Sequence, residues 1–237
     1  MKMLELKLMS QDRSIPLQFP VRRMVNAGYV GRDLQAVKAH IEELHREGIP
    51  PPSSVPIFFP VLSHNITTAK QIEVVGARTS GEAEFVLLLG GENILVGVGS
   101  DHTDRDLERY SIVKSKQVCQ NVLSSEVWRY EEVESGWDDL LIQSWTKPTE
   151  AEDWILYQKA VLSTIISAAD LMDRVKSKLI DGQADGLVIF SGTIPMLTCQ
   201  IIYGSSFRAE LIDSRLGRRL TCEYKVLRLD YLEGVEP

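Results

Sequence analysis

A chain of 237 residues with 26 Lys and Arg against 33 Asp and Glu carries a formal net charge of −7, and its 44% hydrophobic and 25% charged residues are ordinary globular usage. That composition excludes disordered and collagenous chains. The acidic balance, with no basic run, excludes a nucleic-acid partner, whose affinity comes from Lys and Arg neutralising phosphates.

Folding at this length removes roughly 70% of the unfolded chain's surface from water, enough for a sizeable core without disulfide staples. Cys119, Cys199 and Cys222 are far apart, odd in number and without a CxxC pair, so neither a disulfide framework nor a thiolate zinc site is expected. The N-terminal MKMLELKLMSQDRS interrupts its apolar residues with Lys2, Glu5 and Lys7, unlike a signal peptide, and no window has the 18 or more apolar residues of a membrane span. The expectation is a soluble protein of a reducing cytoplasm with no membrane partner.

In chain order, Leu4, Leu6 and Leu8 alternate with Glu5 and Lys7 as a strand with one buried face, so residues 1–20 are expected to form a small β appendage. Asp33 to Glu47 places Leu34, Val37, Ile41 and Leu44 at helical spacing before Gly48 and three prolines, which predicts a short amphipathic helix. Ile57 to Leu62 reads as an apolar strand. From Ile72 to Gly99 three β segments, IEVVGA, EAEFVLLLG and NILVGVG, are separated by turn glycines.

The charged SDHTDRDLERY follows, and then a polar loop reading to Lys147. A long helix is expected over Trp154 to Leu179, opened by a capping box of Thr149 and Glu152. Leu187 to Phe190 reads as a buried strand, and FRAELIDS with TCEYKVLRL as a closing hairpin. Strands outnumber helices with little βαβ alternation, which argues α+β with a mixed, mostly antiparallel twisted sheet in a main domain of residues 21–237.

Several residues offer chemistry. Glu82 and Glu84, at i and i+2 of a strand start, project two carboxylates from one face and suit a hard cation, although a polar strand edge looks the same. Asp101 ends the strand ILVGVG and supplies a third ligand, unless it caps a following turn. His40 and Glu43, at i and i+3 of the first helix, can form an acid-base pair or an ordinary surface pair. Lys114 and Lys116 have surface charge as their ordinary reading. Gly192 and Thr193 end LVIFSGT, where a glycine admits close backbone approach and a hydroxyl can bind an oxyanion.

In this order the segments resemble the fumarylacetoacetate hydrolase superfamily, in a divergent, uncharacterised branch. GEAEFVLLLGG resembles its ExE metal strand, GSDHTDRDLE its Asp-bearing Asn-Asp-x-Ser-x-Arg-Asp motif, and ADGLVIFSGTIP its Gly-Asp-x-Ile-x-x-Gly-Thr-Pro strand. GYVGRDLQAVKAHIEELHREGIPPPSSVPIFFP resembles its early helix and proline-rich loop, and FRAELIDSRLGRRLTCEYKV its last two strands.

The resemblance implies a β-roll and a homodimer. It makes Glu82, Glu84 and Asp101 the ligands of Mg²⁺, or alternatively Mn²⁺ or Ca²⁺. His40 and Glu43 become the water-activating dyad, Lys116, or Lys114 in its place, the active-site lysine, and Tyr29, Gly192 and Thr193 substrate contacts. The implied activity is hydrolysis of a C–C or related bond beside a carbonyl in a small dicarbonyl or oxo acid. Decarboxylation or tautomerisation at the same site, or binding without turnover, are the alternatives.

Overall fold

The computed structural model describes residues 1–10, 13–46 and 51–232. In chain order it forms β1 (Lys2–Ser10), β2 (Arg13–Val21), β3 (Arg23–Gly28), α1 (Leu34–Arg46), β4 (Ile57–Val61), β5 (Ile66–Thr67), β6 (Gln71–Val74) and β7 (Thr79–Ser80). The central segment gives β8 (Ala83–Gly90), β9 (Asn93–Asp101), β10 (Thr103–Asp104), α2 (Arg105–Glu108), α3 (Ile112–Val118), β11 (Asn121–Leu123), β12 (Glu126–Arg129) and α4 (Tyr130–Val133). The remainder is β13 (Leu141–Lys147), β14 (Ile155–Val161), α5 (Ala168–Lys178), β15 (Leu187–Phe190), β16 (Ser206–Asp213) and β17 (Arg218–Arg228).

The expected α+β class with a mixed, mostly antiparallel sheet is what the strands build. A ten-stranded sheet runs β2-β1-β12-β9-β8-β15-β3-β4, with β11 and β5 branching from β9. Among the described residues only β1–β12, β3–β15 and β5–β11 pair in parallel within it. A five-stranded sheet, β14-β13-β16-β17-β6, lies against it.

β8 explains why the two sheets need each other. Its run AEFVLLL is buried on both faces: Phe85, Leu87 and Leu89 pack with Ile142, Leu211, Leu220 and α5 residue Leu171, while Val86 and Leu88 point the other way into a second cluster with Leu4, Leu6, Leu8 and Val188. Continuous apolarity, rather than alternation, is the mark of a strand covered on both sides. The N-terminal segment, expected as a small appendage, is a hairpin whose β1 extends the large sheet through β12 and whose leucines enter that second cluster.

Two expectations are corrected. The helix expected over Trp154 to Leu179 is instead β14, a short 3-10 turn at Leu162–Thr164, and α5, which Ser167 caps by accepting the Asp170 N–H. β14 pairs with β13 along its length, with a bulge opposite Ser144 and Trp145. That bulge brings Tyr157 and Gln158 inside together, breaking the alternation that would have marked a strand. Thr149 Oγ1 does bond Glu152 at 2.6 Å, but it closes a turn and starts no helix.

The stretch from Ser111 to Lys147, expected as polar loop, contains α3, β11, β12, α4 and β13. Each of these elements except β13 is too short to show a periodicity, and tertiary pairing rather than local propensity sets them.

Candidate metal centre

β8 and β9 pair antiparallel with Ala83 opposite Ser100 and Glu84 opposite Gly99, so the start of one strand meets the end of the other. Asp101 N–H donates to Glu82 O at 3.2 Å and fixes that junction. Carboxylate oxygens of Glu82, Glu84 and Asp101 consequently lie within 4.8 Å of one another. Glu84 and Asp101 are buried, and Glu82 retains a fifth of its side-chain surface. Asp101 caps no helix; that role falls to Asp104, whose Oδ1 accepts the N–H groups of Asp106 and Leu107.

Two cations face this cluster. Lys116, on the buried side of α3, donates its ammonium to Asp101 Oδ2, whereas Lys114 is exposed on the other side of the same helix. The two lysines do not share a face, because Ser111 caps a helix here and residues two apart on a helix point to different sides. Arg105 contacts Glu82 Oε1 at 3.0 Å, Glu108 Oε2 at 2.9 Å and Ser80 Oγ at 2.8 Å.

These charges set the titration of the group. Burial works to raise the Glu82 carboxyl, but Arg105 and Lys116 outweigh it and hold it below its ordinary range. Burial, and next the neighbouring Asp101, push Glu84 well above its ordinary range. Burial also raises Asp101 against the pull of Lys116. Burial works to lower the Lys116 ammonium, but the surrounding Asp101, Glu82 and Glu84 outweigh it and hold it above its ordinary range.

The donor set fits a hard divalent cation. It is all oxygen, and Asp101 Oδ1 is buried with no well-formed hydrogen bond among the described residues, only the Asn26 amide of β3 standing near it; Asn121 Oδ1 on β11 likewise lacks a partner. When all are ionised, Glu82, Glu84, Asp101 and Glu108 against Arg105 and Lys116 leave two negative charges over, which is the charge of one such ion.

The other candidate residues divide into two groups. Gly192 has φ of +83°, and a side chain there would collide with Ala27 O at 2.9 Å, so glycine is required for its N–H to reach Glu84 Oε2 at 2.9 Å. Thr193 is half-buried and donates to Ala83 O at 3.1 Å. Tyr29 is half-buried with φ of +56°, a strain of about 1–3 kcal/mol for a residue with a side chain, and its phenol is raised first by burial and then by Glu108. His40 and Glu43 are on α1 as expected, but their side chains lie outside the described residues.

Residues not singled out from the sequence complete the surroundings. Ser100 Oγ accepts the Glu82 N–H at 3.1 Å and bonds Tyr224 OH at 2.8 Å, whose other neighbour is His102 Nδ1 at 2.9 Å. His102 Nε2 bonds Thr79 Oγ1, and burial depresses the imidazole to about 3, so this histidine is a neutral strut behind the carboxylates. Asn26 on β3, Gln158 on β14 and Ser100 at the end of β9 are buried polar residues that the sequence did not single out, since Asn26 and Gln158 lie outside the strands read from it and Ser100 follows directly on the run NILVGVG.

The chain belongs to the family described as "Protein of unknown function (DUF2848)", whose model matches residues 27–224. Its fold is that of the fumarylacetoacetate hydrolase superfamily. It is similar to the fumarylacetoacetate hydrolase from psychrophilic Exiguobacterium antarcticum, at 14% identity and a TM-score of 0.62, over 92% of this chain and 80% of that one. A 2-keto-3-deoxy-D-arabinonate dehydratase complexed with magnesium and 2,5-dioxopentanoate matches at 16% identity and 0.62, over 91% and 76%. The 4-oxalocrotonate decarboxylase from Pseudomonas putida G7, complexed with calcium and acetate, matches at 11% and 0.54, over 86% and 76%. No curated protein matches the chain. Among the described residues no helix is long and apolar enough to cross a membrane.

Proposed function

We propose that this chain is a metal-dependent hydrolase acting beside a carbonyl of a small dicarbonyl or oxo acid. The observation that carries the reading is the buried cluster of Glu82, Glu84 and Asp101 with an Asp101 oxygen that has no well-formed hydrogen bond among the described residues. Mg²⁺ is the ion expected there, with Mn²⁺ or Ca²⁺ as substitutes; solved proteins of this fold carry magnesium or calcium. A cation so held supplies chelation of paired substrate oxygens and stabilisation of enolate charge.

The chain's own residues do the rest. His40 takes a proton from water, and Glu43 fixes the imidazole tautomer and stabilises the charge it acquires. Lys116, kept cationic by its carboxylate neighbours, attracts an anionic substrate oxygen. Thr193 and Gly192 lie at the strand end beside Glu84, where a hydroxyl can hold a second oxygen, and Tyr29, whose phenol feels the charges of Glu108 and Lys116, is the third substrate contact we propose. A cytoplasmic homodimer is the form in which we expect the enzyme, and sedimentation at micromolar concentration checks the assembly.

The test has two parts. Calorimetry of chelator-treated protein should show one Mg²⁺ or Mn²⁺ site. Metal-supplemented assays against acylpyruvates and 2-oxo acids should then detect cleavage, with release of a second carboxylic acid rather than CO₂ separating hydrolysis from decarboxylation. Metal binding with no turnover of either class would leave a binding protein, and no metal binding would remove the reading altogether.

A further inference from the structure

Gln158 joins both halves of the molecule at the candidate site. It lies on β14 of the five-stranded sheet, is 1% exposed, and uses both ends of its amide. Its Oε1 accepts from Ala83 N at 3.0 Å and from Ser144 Oγ at 2.9 Å; its Nε2 donates to Thr193 Oγ1 at 2.7 Å and to Ile194 O at 2.6 Å. The amide orientation is not arbitrary, because a peptide N–H can only donate and a peptide carbonyl can only accept.

We propose that Gln158 is a positioning residue that turns the Thr193 hydroxyl into a hydrogen donor for a bound oxo acid, an inference that rests on the function proposed above. Nε2 donates into the Thr193 oxygen and so commits that oxygen to accepting on its inner side. The single hydroxyl hydrogen is left for an acceptor elsewhere: Ala83 O at 3.1 Å, with Ile194 O farther off at 3.4 Å, or a substrate oxygen in their place. Ala83 also lies between Glu82 and Glu84, so the same amide registers the Gly192–Thr193 turn against the carboxylates. The backbone of Gln158 bridges to Met196, and Leu197 N–H donates to Tyr157 O, which carries this turn along β14 as a unit.

Replacing the amide by an acid tests the polarity directly. In Gln158→Glu the acceptor toward Ala83 and Ser144 survives, but an ionised carboxylate draws the Thr193 hydrogen inward and repels Ile194 O. Burial raises such a carboxyl, so it becomes neutral as pH falls and its O–H can again donate to Thr193. With Mn²⁺ saturating, pyruvate should bind Gln158→Glu at least tenfold more weakly than wild type at pH 8. It should recover to within about threefold at pH 6, a reversal that a purely structural lesion would not give.

In a Thr193→Val background, Gln158→Glu should weaken pyruvate binding no further. Equal pyruvate affinity of Gln158→Glu and wild type at pH 8, equal weakness at both pH values, or full additivity with Thr193→Val would each overturn the proposal. If wild type binds no Mn²⁺ or no pyruvate, the proposed function fails first. Amide exchange in the metal-free protein then decides the link itself: Gln158→Met should exchange the Gly192 and Ala83 amides at least tenfold faster while Leu87 is unchanged, and unchanged Gly192 protection would refute the link.

Discussion

The carboxylates and the proposed dyad are held in opposite ways. Glu84 and Asp101 come from two paired strands whose backbones fix them, with Glu82 immediately before β8 held by the Asp101 N–H, and β8 is buried on both faces. Helix α1, by contrast, has only Val37 and Ile41 half-buried among its described side chains, and Leu34 is 61% exposed. Its start is anchored by Asp33 Oδ1, which accepts the N–H groups of Gln35 and Ala36, and by Arg32 paired with Asp138. The candidate metal centre is built into the core, while the proposed acid-base pair is carried on a helix whose described side chains are mostly exposed. Metal binding and turnover should therefore be separable by mutation.

The largest effect expected is from Glu84→Ala, which removes a buried ligand and should abolish Mg²⁺ or Mn²⁺ binding in a calorimetric titration. Retention of the site would dissolve the comparison. Next is His40→Ala, expected to lower turnover by about 10² to 10⁴, the range of general-base catalysis, with metal affinity within about twofold of wild type. Glu43→Gln should give a smaller loss in the same direction. Unchanged turnover in His40→Ala, measured under single-turnover conditions, would take α1 out of the chemistry.

A smaller effect is expected at Arg105, which keeps Glu82 ionised through a 3.0 Å contact. Arg105→Met should let burial raise the Glu82 carboxyl. Protons then compete with the metal at higher pH, so the pH at which half the Mn²⁺ is bound should move upward while saturation at high pH is retained. No upward movement would show that Lys116 alone holds Glu82 charged.

How far these features were legible follows from what local pattern encodes. β8, β9 and β15 announced themselves as apolar runs, and the ExE spacing fixed two carboxylates on one side because strand geometry has period two. Whether Lys114 or Lys116 faced Asp101 was not legible, since seven residues capped by Ser111 carry too little pattern to tell helix from strand. Tyr157 and Gln158 were missed for a sharper reason. A bulge puts both inside, and the apolar spacing of Trp154, Tyr157 and Val161 then reads as a helix turn. Arg105 was quoted only as part of a motif; its three partners at Ser80, Glu82 and Glu108 come from a contact that no spacing rule contains.

The smallest expected effect concerns stability, and its sign distinguishes a metal centre from an ordinary ion-pair cluster. Because the native chain raises Glu84 above its ordinary value, it holds that proton more tightly than the unfolded chain does. The contribution of Glu84 to stability is therefore full at pH below the ordinary carboxyl range and is lost progressively as pH rises toward the raised native value. Glu84→Gln removes this loss, and in chelator the variant should gain about 0.5–2 kcal/mol at pH 8 over wild type, read from urea unfolding. Saturating Mg²⁺ reverses the comparison. A bound cation requires the ionised carboxylate, so wild type should gain stability with rising pH while Glu84→Gln gains nothing from the metal. A cluster satisfied by Lys116 and Arg105 alone would show the first effect without the reversal, and Glu84 would then be a strained partner in a salt-bridge network rather than a ligand.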